Sequence, residues 1–285
     1  MESIAFVGLE HVEPVQPPAK YIGGKRNLAK LITAIIERVP HSSYNEPFVG
    51  MGGIFFRRAR RPRSEAINDI SGDVVTLFRI LREHYPYFVD MLKWRLSSRA
   101  DFKRLLEMDP AHLTDLQRAA RFLYLQRLGF GGKVDGRAFG VDARQPARFD
   151  VVKLEPMLAD LAERLSPVTI EQLPFAEFIG RYDHAGALFY LDPPYWGCEG
   201  DYGPGVFGRD DFAALAEQLR GIEGRFILSI NDRPDVRLVF DGFEQLPVET
   251  TYSFASGHSG KSKRVGELII SNLPRAALMP PANDD

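Results

Sequence analysis

Apolar runs that break into glycine, acid or proline and then pass into helix-spaced segments recur along this chain, and no other feature narrows its fold so far. "SYNEPFVGMGGIFF" reads as a strand breaking into a glycine-rich turn. "EAINDI" is a short strand ending in a carboxylate, with Ser71 or Asp73 as the cap of the helix "DVVTLFRILREHY". Ahead of them Leu28, Leu31, Ile32, Ile35, Ile36 and Val39 have helix spacing with one apolar face, closed by Pro40. A helix over 153–164 and the strands "PVTIEQL", "GALFYLD" and "RFILSIN" continue the series. Strands alternating with helices predict a mostly parallel, doubly wound α/β sheet. Ligands bind such sheets beyond the carboxyl ends of the strands. "FVGMGG", "NDI" and "DPPYW" all fall there.

The rhythm stops between about 85 and 150. Helices are predicted near 86–97, 101–108 and 115–128, followed by "GFGGKVDGRAFGVD" with hairpin character. Two late strands near 246–254 and 264–272 are joined by "ASGHSGKSKR". The expected organisation is therefore a ligand-binding domain over 18–84 and 151–274, an inserted module over 85–150, and flexible tails at 1–17 and 275–285. At 285 residues, 45% hydrophobic and 26% charged, the chain is long enough for one large domain carrying an insertion. No run approaches the ~18 apolar residues of a spanning helix, and "MESIAFVGLEHVEPVQPP" does not read as a signal peptide. Cys198 is the single cysteine, which excludes an internal disulfide and fits a reducing, cytoplasmic setting. The six histidines show no metal-ligand spacing, so no metal is expected.

"DPPYW" carries the sharpest chemical signal. Two successive prolines fix the backbone and remove two N–H donors beside an acid and two large aromatics. A planar amine on a ring is a poor nucleophile because its lone pair is delocalised. Asp192 and the carbonyl of Pro193 can both accept its hydrogens, with Pro194 stiffening the turn and Tyr195 stacking on the ring. Such preorganised acceptors stabilise and orient without reorganising. The plainer reading is a rigid turn that buries its aromatics. Gly50, Gly52 and Gly53 suit a tight turn approaching a ligand at a helix N-terminus. Asp69 follows Gly52 by 17 residues, near the ~20-residue offset of an acid that takes ribose hydroxyls. A strand–helix turn with a helix-capping acid would leave the same trace. "KYIGGKRN" places Tyr21 and Lys25 around a Gly-Gly turn, either as a solvated helix start or as a lid over a ligand.

The formal net charge of −2 gives no overall pull toward a polyanion, so any such binding rests on local patches. "RRARRPR" (57–63) reads as a solvated face. Arg118, Arg121, Arg127, Lys133, Arg137, Arg144 and Arg148 in the insertion, with Lys261, Lys263 and Arg264, can surround a polyanion by phosphate contacts. Asp115, Asp135, Asp142 and Asp150 can neutralise much of that charge.

Taken in order, "KYIGGK", "EPFVGMGG", an insertion and "DPPY" resemble the Dam-type, alpha-class DNA adenine-N6 methyltransferases over roughly residues 18–272. The resemblance implies a Rossmann-like methyltransferase sheet, seven-stranded with an antiparallel late hairpin, that binds S-adenosylmethionine. It implies cofactor contacts from Tyr21, Lys25, Glu46, Phe48, Gly50, Gly52, Asp69 and Asp192, with Leu173 and Phe175 beside the cofactor's adenine. It implies catalysis by Asp192, Pro193, Pro194 and Tyr195, on an adenine flipped from the duplex. DNA contacts are expected from Lys20, Arg121, Arg127, Phe130, Lys133, Arg137, Lys261, Lys263 and Arg264. "YLQRLGFGGKVDGR" resembles the family's recognition stretch, but the polar residues with which relatives read bases after it are not reproduced, leaving the target sequence open. The implied partner is double-stranded DNA, with no membrane, and a monomer or weak dimer is expected. A companion nuclease is neither implied nor excluded. RNA or protein-glutamine methylation uses the same "DPPY" chemistry and remains an alternative, as does a DNA-binding relative without turnover.

Overall fold

β6 (Ala187–Leu191) is buried along its whole length, the mark of a strand covered on both faces. Leu188 and Tyr190 join one apolar cluster, while Ala187, Phe189 and Leu191 join another on the opposite face. In this computed structural model, which describes residues 8–23, 25, 27–140, 144, 146–203, 205–252 and 263–279, that strand lies at the centre of a seven-stranded sheet. The sheet order is β5-β4-β2-β6-β7-β9-β8, with β2 (Ser43–Glu46), β4 (Ser64–Asn68), β5 (Thr169–Glu171), β7 (Arg225–Asn231), β8 (Glu244–Tyr252) and β9 (Lys263–Ser271). All pairings from β5 to β7 are parallel, and β9 runs antiparallel to both β7 and β8. This is the expected Rossmann-like methyltransferase sheet with its late antiparallel hairpin. A small pair, β1 (Glu10–His11) with β3 (Arg60–Arg61), sits apart from it.

Helices cover both faces. α1 (Ala29–Arg38), α2 (Gly72–Glu83) and α6 (Val151–Leu165) share one cluster, while α7 (Phe175–Tyr182), α8 (Arg209–Gly221) and α9 (Pro234–Val239) build the other. The inserted segment forms α3 (Tyr85–Lys93), α4 (Arg99–Glu107) and α5 (Asp115–Leu128), close to the expected bounds. Thr114 and Gln117 start α5 with a reciprocal capping box. Nearly every face of α5 is buried, and Phe88, Phe102, Phe122 and Leu125 belong to the same cluster as α1, α2 and α6. The insertion thus shares the sheet's core. After it, Gly129 bridges Phe139, Phe130 N–H donates to Ala138 O (2.8 Å) and Gly140 N–H to Leu128 O (2.7 Å), so 129–140 closes as the expected hairpin-like loop.

Both ends expected as flexible tails carry regular structure where they are described. β1 pairs with β3, and Val15 N–H donates to Phe56 O at 2.7 Å. α10 (Arg275–Leu278) buries Leu278 and is held by Arg38, which donates to Ala277 O and Met279 O. "RRARRPR" is not a uniformly solvated face either. Arg58 is fully buried, bonded to Glu65 and stacked 3.6 Å from the Tyr44 ring centroid. Arg164 meets the same carboxylate at 2.6 and 2.8 Å, so the desolvated charges are paired. Among the described residues no helix is long and apolar enough to cross a membrane.

Candidate active site

The order of the sheet reverses between β2 and β6, and there the carboxyl ends of the strands part into a cleft of about 1550 Å³. Pockets for single small ligands are roughly 300–1,000 Å³, so this one has room for two ligands side by side. Tyr21, Lys25, Glu46, Phe48, Gly50, Asp69, Leu173, Phe175, Asp192 and Pro194 line it. Residues from five separated stretches of sequence are thereby brought together.

Asp69 follows β4, and its two oxygens accept the N–H groups of Gly50 and Ser71, each at 2.9 Å. The acid therefore fixes the turn after β2 while facing the cleft. Gly50 has φ +50°, and a Cβ there would stand 2.9 Å from the Tyr21 ring, so the position requires glycine. Gly52 donates to Val49 O at 2.8 Å and continues the same turn. Burial pushes the Asp69 carboxyl up to about 6, against the opposing pull of the Ser71 and Gly50 N–H groups. Glu46, at the end of β2, is buried, and burial raises it to about 8 although the Tyr44 hydroxyl donates to it at 2.6 Å.

Phe48, Phe175 and Phe207 stand in a triangle with ring centroids 5.6, 5.9 and 5.9 Å apart, an apolar wall for a flat ligand. Leu173 closes it, and its N–H and C=O are both taken by the Asn68 side chain at 2.8 and 3.0 Å. Phe207 lies beyond "DPPYW" in a Gly-rich loop and carried no sequence signal. Neither did Tyr202 of that loop, whose hydroxyl donates to Ile22 O at 3.3 Å with its ring 6.1 Å from Tyr21.

Asp192 follows β6. Its Oδ1 lies 2.9 Å from the Lys25 ammonium, which is itself buried. Burial raises the Asp192 carboxyl to about 6, and Lys25 opposes that rise. Pro193 and Pro194 are both buried, fixing the turn. Tyr195 points its hydroxyl at Lys25 (2.5 Å) and at Glu267 Oε1 (2.5 Å). Trp196 packs on Phe212 at 4.9 Å and under Arg209 at 4.0 Å, with its backbone held by Asn231. It forms a wall of the loop that follows β6.

The expected DNA contacts divide. Lys20, Phe130 and Lys133 are exposed, and Lys20 and Phe130 line the cleft mouth. Arg121 is instead buried, with Nε donating to Leu105 O at 2.7 Å and a terminal nitrogen to Leu106 O at 3.3 Å, so it braces α4 against α5. Nothing in its sequence position distinguishes it from a surface arginine except the apolar residues on all sides of it. Arg127 spends its guanidinium on Pro18 O (2.6 Å) and Arg148 O (3.4 Å). Arg137 is half-buried, donating to Lys133 O and Gln126 Oε1. Lys261 lies outside the described residues. Lys263 and Arg264 begin β9, opposite Tyr252 and Thr251.

A family model described as D12 class N6 adenine-specific DNA methyltransferase matches residues 21–254. The type II methyltransferase M.CviBI of Paramecium bursaria Chlorella virus NC1A is 23% identical over 262 residues, covering 90% of this chain and 100% of the relative. The type II methyltransferase M1.LlaDCHI of Lactococcus lactis subsp. cremoris is 24% identical over 277 residues, covering 90% and 95%. The DNA adenine methylase of Escherichia coli strain K12 is 24% identical over 268 residues, covering 90% and 94%.

Proposed function

The chain belongs to the D12 class N6 adenine-specific DNA methyltransferase family, and from that premise we propose how its cleft carries out adenine-N6 methylation of duplex DNA. S-adenosylmethionine, when bound, supplies an already activated methyl group on a sulfonium. Tyr21, Lys25, Glu46, Phe48, Gly50, Gly52, Asp69, Leu173 and Phe175 would hold it. Asp69 would take its ribose hydroxyls, and the Phe48–Phe175–Phe207 wall would take its adenine ring. A target adenine enters beside it at Asp192. Asp192 accepts one hydrogen of the exocyclic amine and the Pro193 carbonyl the other, which turns the nitrogen lone pair outward. Asp192 would take the proton that the amine gives up on methylation, while the Pro193 carbonyl holds the remaining N–H. Tyr195 flanks the base.

The observation that carries this reading is the Asp192 carboxylate, held 2.9 Å from a buried ammonium at the point where the sheet order reverses. Flipping a paired adenine costs a few kcal/mol. Phe130, 49% exposed at the cleft mouth, would serve as the wedge that keeps the stack open. Lys20 and Lys133 contact phosphates or base edges.

DNA from cells expressing the wild type or Asp192→Ala, sequenced with modification-sensitive reads, tests the proposal. Methyladenine is expected at a fixed motif in the first and at background in the second, with duplex affinity of the variant within about tenfold of wild type because phosphate contacts dominate binding. Unmodified adenine under wild-type expression, or a variant that methylates normally, refutes it.

A further inference from the structure

β9 carries an acid that the cleft chemistry leaves unexplained. Glu267 is fully buried. A buried carboxylate is costly unless it is paired and hydrogen-bonded, and two of its partners stand beside the cleft. The Tyr195 hydroxyl donates to Oε1 at 2.5 Å, and the Lys25 ammonium lies 3.3 Å from Oε2. Lys25 also donates to the Tyr195 hydroxyl at 2.5 Å and pairs with Asp192 at 2.9 Å. Three distant parts of the chain thus close one ring of charge-assisted bonds behind the Asp192 carboxylate: the N-terminal glycine turn, the segment after β6, and β9.

A lysine ammonium is a point charge on a flexible four-carbon stem, so a single acceptor does not fix its direction. Glu267 supplies a third acceptor beside Asp192 and the Tyr195 hydroxyl, from a strand hydrogen-bonded on both sides to β7 and β8. The same carboxylate orients the Tyr195 hydroxyl toward the lysine. We propose that Glu267 is a positioning residue for methyl transfer, clamping Lys25 and Tyr195 from β9 so that Asp192 stays aimed into the cleft. The inference rests on the transfer reading above.

The groups that face Asp192 are Lys25 from the glycine turn, Glu46 from β2, Tyr190 and Tyr195 beside it in sequence, Tyr202 from the following loop and Glu267 from β9. After burial, Lys25 pulls the Asp192 carboxyl down and Glu267 pushes it up. Removing the Glu267 charge while keeping its shape therefore lowers the Asp192 titration.

The test compares steady-state methyl transfer and thermal unfolding for Glu267→Gln, Tyr195→Phe and Ser271→Ala. In Glu267→Gln, kcat should fall about tenfold or more with KM for the duplex little changed, and the acid limb of the kcat profile should move to lower pH. Tyr195→Phe cuts the bridge but leaves every charge, so it should lower kcat with the acid limb in place. Ser271→Ala removes a buried hydroxyl on the same strand and should cost stability alone. A Glu267→Gln enzyme with wild-type kcat and acid limb overturns the proposal. So does a kcat loss that Ser271→Ala reproduces at an equal loss of thermal midpoint. If Glu267→Gln does not fold, Tyr195→Phe decides, and wild-type kcat there overturns the clamp. Carbon NMR of the Asp192 carboxyl in cofactor-free protein separates this from the transfer reading. An unmoved titration in Glu267→Gln defeats the clamp even if wild type proves inactive on DNA.

Discussion

In the proposed reading Asp69 serves the fold and the ligand from one carboxylate. Its two oxygens hold the Gly50 and Ser71 N–H groups, and each still has a lone pair for a ribose hydroxyl. Charge-assisted bonds of this kind are worth roughly 1.5–3 kcal/mol each. Asp69→Ala is therefore expected to weaken S-adenosylmethionine binding at least tenfold by calorimetry and to lower the thermal midpoint, because the Gly50 turn loses its partner. With the carboxyl raised to about 6, its ionised form prevails above that pH. Wild-type affinity should accordingly fall as the solution is acidified through about 6, and the Asp69→Ala variant should lose that dependence. Cofactor affinity equal to wild type would show that the ribose lies elsewhere. At this scale the sequence was legible where chemistry had left a motif. Lys25, Asp69 and Asp192 announced themselves by prolines and glycines. Glu267 lay in "RVGELIIS", where its one signal was an acid in phase with inward-facing Ile269.

Between elements, the loop 129–140 and the turn 20–25 are tied by backbone. Ile22 N–H donates to Gly132 O at 2.9 Å, and the buried Gln126 amide bridges Gly132 O (2.6 Å) and Lys20 O (2.8 Å). Gly131 and Gly132 both have positive φ, +72° and +73°, so alanine at either costs ~1–2 kcal/mol of left-handed strain. They differ in surroundings. A Cβ on Gly131 meets nothing within 4 Å, whereas one on Gly132 would stand 3.0 Å from the Tyr21 backbone. Gly131→Ala should lower the thermal midpoint by that strain alone, whereas Gly132→Ala should lower it further and also weaken cofactor binding, by displacing Tyr21. Equal cofactor affinities in the two variants would mean that the tie transmits nothing. Sequence periodicity placed α3, α4 and α5 within a few residues. It could not reveal this tie, because the contacts are main-chain atoms meeting a glutamine more than a hundred residues from Lys20.

For the whole molecule, the parallel sheet and its late hairpin were legible because strands buried on both faces read as apolar runs ending in turn residues. The packing of the insertion was not. A segment where the βα rhythm stops looks separable, yet α5 presents apolar residues on nearly all sides and sits in the core shared with α2 and α6. That burial also explains why Arg121 and Arg127 point at carbonyl groups. It bears on how an enzyme of this build comes to recognise a new site. A recognition region with its own core can be exchanged like a cassette, whereas the 85–150 insertion shares its core with α2 and α6. A chimera that takes only 129–140 from a relative should unfold near the wild-type temperature, because it leaves the buried side chains of α5 in place. One that takes all of 85–150 should unfold well below it unless the facing side of α2 is exchanged too. A block exchange that keeps the parental midpoint would refute this. New specificity is thus expected to arise by drift at the loop's tip, with the helices beneath it inherited as a fixed pedestal.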